Sequence, residues 1–112
     1  MSLFHRRLYH FLQHKAAMRV QQMHPSVVTV LQAETAIASN YTDTQFHHDV
    51  SEAEIPTLTD IPDDLALTGA TDLSIGGGKA MAWLEDFYKA HKTMCDLVIG
   101  IMVQVALKAL GL

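Results

Sequence analysis

Cysteine occurs once in the 112 residues, at Cys95, so no disulfide can form within the chain and no Cys-x-x-Cys metal or redox pair exists. Set inside an apolar helical pattern, Cys95 reads as a small core residue. Proline occurs three times, at Pro25, Pro56 and Pro62, and half of the six glycines fall in the run Gly76-Gly77-Gly78. The stretches before and after this middle region therefore hold few of the residues that interrupt a helix. Charged residues make up 18% of the chain, below the roughly 25% of an ordinary soluble domain. With 49% of the residues apolar, disorder throughout is not expected, and part of the apolar surface reads as reserved for a partner. A chain of this length forms one small domain that buries only about two-thirds of its unfolded surface, so no large independent core is expected.

Acid is missing from the first thirty-three residues, where Arg6, Arg7, Lys15 and Arg19 give a charge of +4. Base is missing from residues 34–78, where Glu34, Asp43, Asp49, Glu52, Glu54, Asp60, Asp63, Asp64 and Asp72 give −9. Residues 79–112 carry +1 and the whole chain −4. The first two parts are suited to attract one another or two different partners. An acid-free, Arg-containing amphipathic N-terminus has the composition of a mitochondrial targeting segment, and a basic flank beside an apolar stripe suits anionic lipid headgroups. Arg6, Arg7, Lys15 and Arg19 are thus candidate membrane or anion contacts. Four bases diluted by so acidic a segment make a poor footprint for nucleic acid.

Periodicity predicts an all-α chain, hairpin-like, with long N- and C-terminal helical regions (1–40 and 79–112) joined by an acidic irregular linker (41–78). Phe4, Leu8, Phe11, Leu12, Ala16 and Val20 recur at spacings of three and four, one stripe of a helix. Pro25 breaks that pattern or restarts it, and Val27, Val30, Leu31 and Ile37 support a second helix running to about Asn40. The β-branched run Val27-Val28-Thr29-Val30 keeps a short strand in play, against the Ala-rich continuation. In the linker, Ser51-x-x-Glu54 has capping-box spacing and Pro62-Asp63-Asp64-Leu65 can start a turn that ends by Gly69. So long a linker suits a functional wrap, a partner surface or disorder.

From Lys79 one long helix is expected. Leu84, Phe87, His91, Met94, Val98, Ile101 and Val105 alternate spacings of three and four, the period of a seam that packs on another helix, and they are the candidate assembly contacts. Beyond Asp96 the apolar residues spread around the whole circumference, as on a helix buried on all sides, in protein or with its end dipped into lipid. The uncharged stretch between Asp96 and Lys108 is about 17 Å long at 1.5 Å per residue, too short for a hydrocarbon core of roughly 30 Å.

Sites of chemistry are incomplete. Gly76-Gly77-Gly78-Lys79 has part of a phosphate-binding loop, but the positions of its first glycine and its hydroxyl residue hold Leu73 and Ala80. His10 and His14 share a helix face and His47-His48-Asp49 clusters ligand types, with nothing to bring the two groups together. No Gly-x-Ser-x-Gly nucleophile pattern is present, and no cofactor motif is complete.

Asp96-Leu97 followed by Met102-Val103-Gln104-Val105 and Lys108 resembles part of the C-terminal helix of flagellar basal-body proteins of the FliE kind. That resemblance covers about thirteen residues and implies a small helical export substrate that polymerises at the base of a rod. The expectation from the residues themselves is a non-catalytic accessory subunit that completes its core in a larger assembly, with a mitochondrial membrane-associated complex favoured. Its partners would be protein subunits or further copies of itself. The alternatives are a bacterial secretion or flagellar rod component and a small anion- or metal-binding module. A charge at Val98 is expected to abolish assembly, and neutralising Asp63 is not.

Overall fold

The computed structural model describes the backbone of residues 3–50 and 77–112 and the side chains of residues 6–50 and 84–112. Among them are five α-helices and no strand: α1 (Leu3–Met23), α2 (Val30–Asn40), α3 (Asp43–Asp49), α4 (Gly77–Ala90) and α5 (Lys92–Ala109). The chain is all-α. The turns expected at Ser51-x-x-Glu54 and from Pro62 to Gly69 lie outside the described residues, as do the side chains of Phe4 and Lys79.

Helix α1 buries Leu8, Leu12, Ala16 and Val20, spaced four apart, with Tyr9, Phe11 and Ala17 beside them. It ends where Pro25 removes an amide and its ring obstructs a further turn. A fresh helix does not start at Pro25. The amides of Val27 and Val28 donate to the His24 carbonyl at 3.1 and 3.0 Å, so these residues form a turn, neither strand nor helix. The start is deferred to Val30 by a capping box: Gln32 N–H donates to Thr29 Oγ1 at 3.1 Å, and Thr29 N–H donates to Gln32 Oε1 at 2.9 Å.

Helix α2 turns Ala33, Ala36 and Ile37 inward. The Tyr41 amide closes it on the Ile37 carbonyl at 2.7 Å, and Thr42 caps α3 by accepting from Gln45 N–H at 3.3 Å. The acidic segment therefore opens with a helix. Its anchor is Phe46, fully buried and edge-on to Tyr9 with ring centroids 5.6 Å apart.

The C-terminal region differs most from the single helix expected. It is two helices bent by 104° at His91, whose backbone (φ −121, ψ 41) is not helical. The His91 amide still closes on Phe87 O at 2.9 Å and its carbonyl accepts from Cys95 N–H at 3.0 Å, so it ends one helix and caps the next. Helix α5 buries Cys95, Val98, Ile99, Met102 and Ala106. It packs on α1 and α2, and these three form the body of the fold; α3 lies on α1 and α4 on α5. Small residues at the contacts, Ala16, Ala17, Ala33, Ala36 and Ala106, let the backbones approach closely. Gly111, at φ +72, ends the chain's last turn in a Schellman arrangement, with Leu112 N–H donating to Leu107 O at 2.8 Å and Gly111 N–H to Lys108 O at 3.2 Å.

Candidate functional site

Successive residues of a helix are 100° apart, so α5 can be laid out as a wheel. The buried stripe of Cys95, Val98, Ile99, Met102 and Ala106 is centred about a quarter turn from the seam of Met94, Val98, Ile101 and Val105. Only Val98 belongs to both. Met94, Ile101 and Val105 are consequently half-buried, on a shoulder of the helix, and Leu97, one step further round, is 67% exposed.

On α4 the seam is turned inward, with Leu84 and Phe87 buried in the chain's own core. His91 is exposed at the bend, its ring stacked on Phe87 at a centroid distance of 4.4 Å and an interplanar angle of 30°. The break at His91 lets α5 rotate relative to α4, which the spacing of a continuous helix does not anticipate. Val98 is 3% exposed, so a charge placed there would act on the fold itself as well as on any assembly. Further apolar exposure lies at Met23, Val27 and Leu31, around the connection from α1 to α2.

The candidate cations have separate fates. Arg7, Phe11, Lys15 and Arg19 stand four apart along α1, and the last three meet α4 and α5. Arg7 is fully buried, which takes it off the candidate surface, and burial lowers its pKa. Lys15 Nζ is 3.1 Å from Glu85 Oε1 and sits over the rings of Phe11 and Tyr88, 4.9 and 5.0 Å from their centroids. Arg19 Nη2 lies 3.5 Å from Asp96 Oδ1. Lys15 and Arg19 thus fasten α1 to the C-terminal helices. Arg6 is exposed.

Asp96 gathers three donors. Lys92 Nζ reaches Oδ2 at 2.6 Å, and the Tyr88 hydroxyl donates to Oδ1, which Arg19 also approaches. The hydrogen bonds from Lys92 and then Tyr88 hold the Asp96 carboxyl below the usual carboxylate range. The same carboxylate raises the pKa of Tyr88 and of Lys92.

A second polar chain runs through the interior. The Tyr9 hydroxyl donates to the Tyr41 carbonyl, one of the carbonyls at the end of α2 that lack a helical partner. The Tyr41 hydroxyl in turn donates to Asp49 Oδ2 at 2.9 Å. Burial, reinforced by Asp43, pushes the Tyr9 phenol up to about 12. Burial and the Asp49 hydrogen bond raise Tyr41 as well. Between α1 and α2, Gln13 Nε2 donates to the Glu34 carbonyl at 3.2 Å and His14 Nδ1 lies 3.1 Å from Glu34 Oε1.

Among the described residues no group of three His, Cys, Asp or Glu side chains converges as a metal would require. Burial, then Asp96, pushes the Cys95 thiol up to about 11, which keeps it protonated at neutral pH. No single described helix is long and apolar enough to cross a membrane.

Periodicity did not single out Tyr9, Tyr41, Asp49, Tyr88 or Asp96 as partners. Tyr9 and Tyr41 are 32 residues apart, and only folding joins them. The available signal was the four-residue spacing of Lys15 and Arg19, which puts two cations on one side of an acid-free helix and calls for acids opposite. Compared with known protein families, curated proteins and solved structures, the chain matches none of them.

Proposed function

We propose that this chain is a non-catalytic structural subunit that packs into a larger protein assembly through the outer shoulder of α5. The observation that carries the reading is Leu97, two-thirds exposed, with Met94, Ile101 and Val105 half-buried beside it on one face of a helix that also fills the chain's own core. A helix that is apolar around its circumference finds its lowest free energy with every side covered, and the side that bears Leu97 is open. The partner this face suits is an apolar helix of another subunit, received between Leu97 and Val105. The mitochondrial, membrane-associated setting rests on the acid-free composition of residues 1–33, of which Arg6 remains an outward charge.

The test is incorporation in the native source. Leu97→Asp should leave the melting curve of the purified chain near that of the wild type, since the side chain is exposed, while the tagged protein no longer migrates with its assembly on native gels. Asp86→Asn, an exposed change on α4, should incorporate normally. Equal incorporation of both variants would overturn the reading.

A further inference from the structure

The bend at His91 has no local cause in the sequence. No proline or glycine lies between Lys79 and Ile99, whereas sharp breaks in helices are usually placed at such residues. Residues 88–95, Tyr-Lys-Ala-His-Lys-Thr-Met-Cys, contain only helix-compatible types. His91 caps α5 with no side-chain hydrogen bond, so the break is not stabilised as a helix start either. Meanwhile the three-four spacing from Leu84 to Val105 runs through the bend without a change of phase. Local propensity therefore favours one straight helix.

What holds the bend is tertiary. Helix α5 turns back to place Cys95, Val98, Ile99, Met102 and Ala106 on α1 and α2, and Asp96 meets Tyr88 of α4 and Arg19 of α1. None of these contacts depends on which copy of the chain supplies α5. We propose that α4 and α5 can fuse into one continuous helix, and that α5 then packs on α1 and α2 of a second copy, giving a reciprocal, domain-swapped dimer. The occupant is fixed by the structure itself. The surface vacated on each α1–α2 pair is complementary to the α5 of another copy, because that is the helix it already binds.

The exchange remakes the α5 core contacts and the Arg19–Asp96 ion pair between chains. It converts two unfavourable breaks at His91 into regular helix, and it aligns Leu84, Phe87, His91, Met94, Val98, Ile101 and Val105 along one unbroken face. Helix α4 stays on its own chain through Lys15–Glu85 and the edge contact of Phe11 with Tyr88, whose ring centroids are 6.4 Å apart. The proposal does not depend on the outer shoulder at Leu97, which the exchange leaves exposed.

The test uses the 112-residue chain in a Cys95→Ser background, treated with a short bis-maleimide over a range of protein concentrations. The pair Arg19→Cys with Asp96→Cys spans α1 and α5, and the pair Lys15→Cys with Glu85→Cys spans α1 and α4. With rising concentration the first pair should shift from links within one chain to links between two, in step with a dimer seen by light scattering, while the second stays within one chain. His91→Ala should raise the dimerisation constant about fivefold, since each of two hinges gains helix propensity. Lys92→Pro should hold the protein monomeric. It places proline at the first position of α5, which the bend tolerates and a continuous helix does not. Lys92→Ala serves as the control for the lost contact with Asp96 and should still dimerise. Links confined to one chain at every concentration would overturn the proposal, as would a dimer that survives Lys92→Pro. The cross-links are read without the proline variant, so a failure of that variant to fold does not remove the test. Leu97→Asp should not affect this dimer, which separates the exchange from assembly through the shoulder.

Discussion

Replacing Tyr9 by phenylalanine should make the protein less stable at neutral pH and more stable in strong alkali. At pH 8 the change removes the hydrogen bond from the hydroxyl to the Tyr41 carbonyl and leaves that carbonyl without its partner in a buried setting, a cost of about 1–1.5 kcal/mol. Alkali acts the other way. The folded phenol titrates at about 12 instead of its ordinary 10.0, because burial and the neighbouring Asp43 both disfavour the anion. Below pH 10 both folded and unfolded chains keep this proton, and the hydroxyl contributes fully to stability. Above pH 10 the unfolded chain releases the proton while the folded one retains it, so stability falls until the folded group also ionises. The loss reaches roughly 1 kcal/mol at pH 11 and roughly 2 kcal/mol at pH 12. Phenylalanine has no such loss. The two stabilities should therefore cross near pH 11. Urea unfolding followed by circular dichroism from pH 8 to pH 12 measures the difference between the proteins; titration of groups remote from position 9 cancels in it, and Tyr41, whose phenol Tyr9 also helps to raise, moves with the same substitution. A difference that stays constant across this range would refute the assignment of Tyr9 as a buried donor.

Three further outcomes follow from the same structure. Met102→Ala should cost about 2–5 kcal/mol in chemical unfolding and Leu97→Ala less than about 0.5 kcal/mol, because the first empties a fully buried site on α5 and the second trims an exposed one. Thr29→Ala removes the side-chain half of the capping box and should cost about 1 kcal/mol, a fall in Tm of about 4–8 °C by calorimetry. Asp96→Asn should flatten the acid limb of the stability curve: in the wild type the carboxylate is held below its ordinary 3.8 by Lys92 and Tyr88, so its contribution is fully present above that value and is lost as pH falls from there through the lower folded pKa. An unchanged acid limb in thermal melts of the variant would count against Asp96 as the hub of that contact.

Helix content was legible because the pattern of Leu8, Phe11, Leu12, Ala16 and Val20 is local, and the buried stripe of α1 contains all five. Thr29 shows the next level. Its capping box with Gln32 is written in the sequence, but Pro25, tolerated in a first helical turn, offers a competing start upstream. The bend at His91 was not legible, since residues 88–95 carry no breaker and the turn is imposed by α1 and α2. Once that bend exists, α5 is free to present a different stripe to the core, so Val98 went inward while Met94, Ile101 and Val105 stayed at the margin. The fate of the basic residues was equally non-local. Charge counting placed Lys15 and Arg19 beside possible anions outside the chain, and only the fold brings them to Glu85 and Asp96.

Cys95 gives the molecule its own stopwatch. The thiol sits on α5 with no exposed surface, and its proton is held to about pH 11, so a maleimide or iodoacetamide has essentially nothing to attack while that helix is seated. With one thiol in the chain, every modification event belongs to that position. Its labelling rate, divided by the rate in denaturant, gives the fraction of time α5 spends away from α1 and α2 whenever reseating is faster than alkylation. A reaction usually treated as a nuisance in handling free cysteines thereby becomes a direct clock for the opening of this helix.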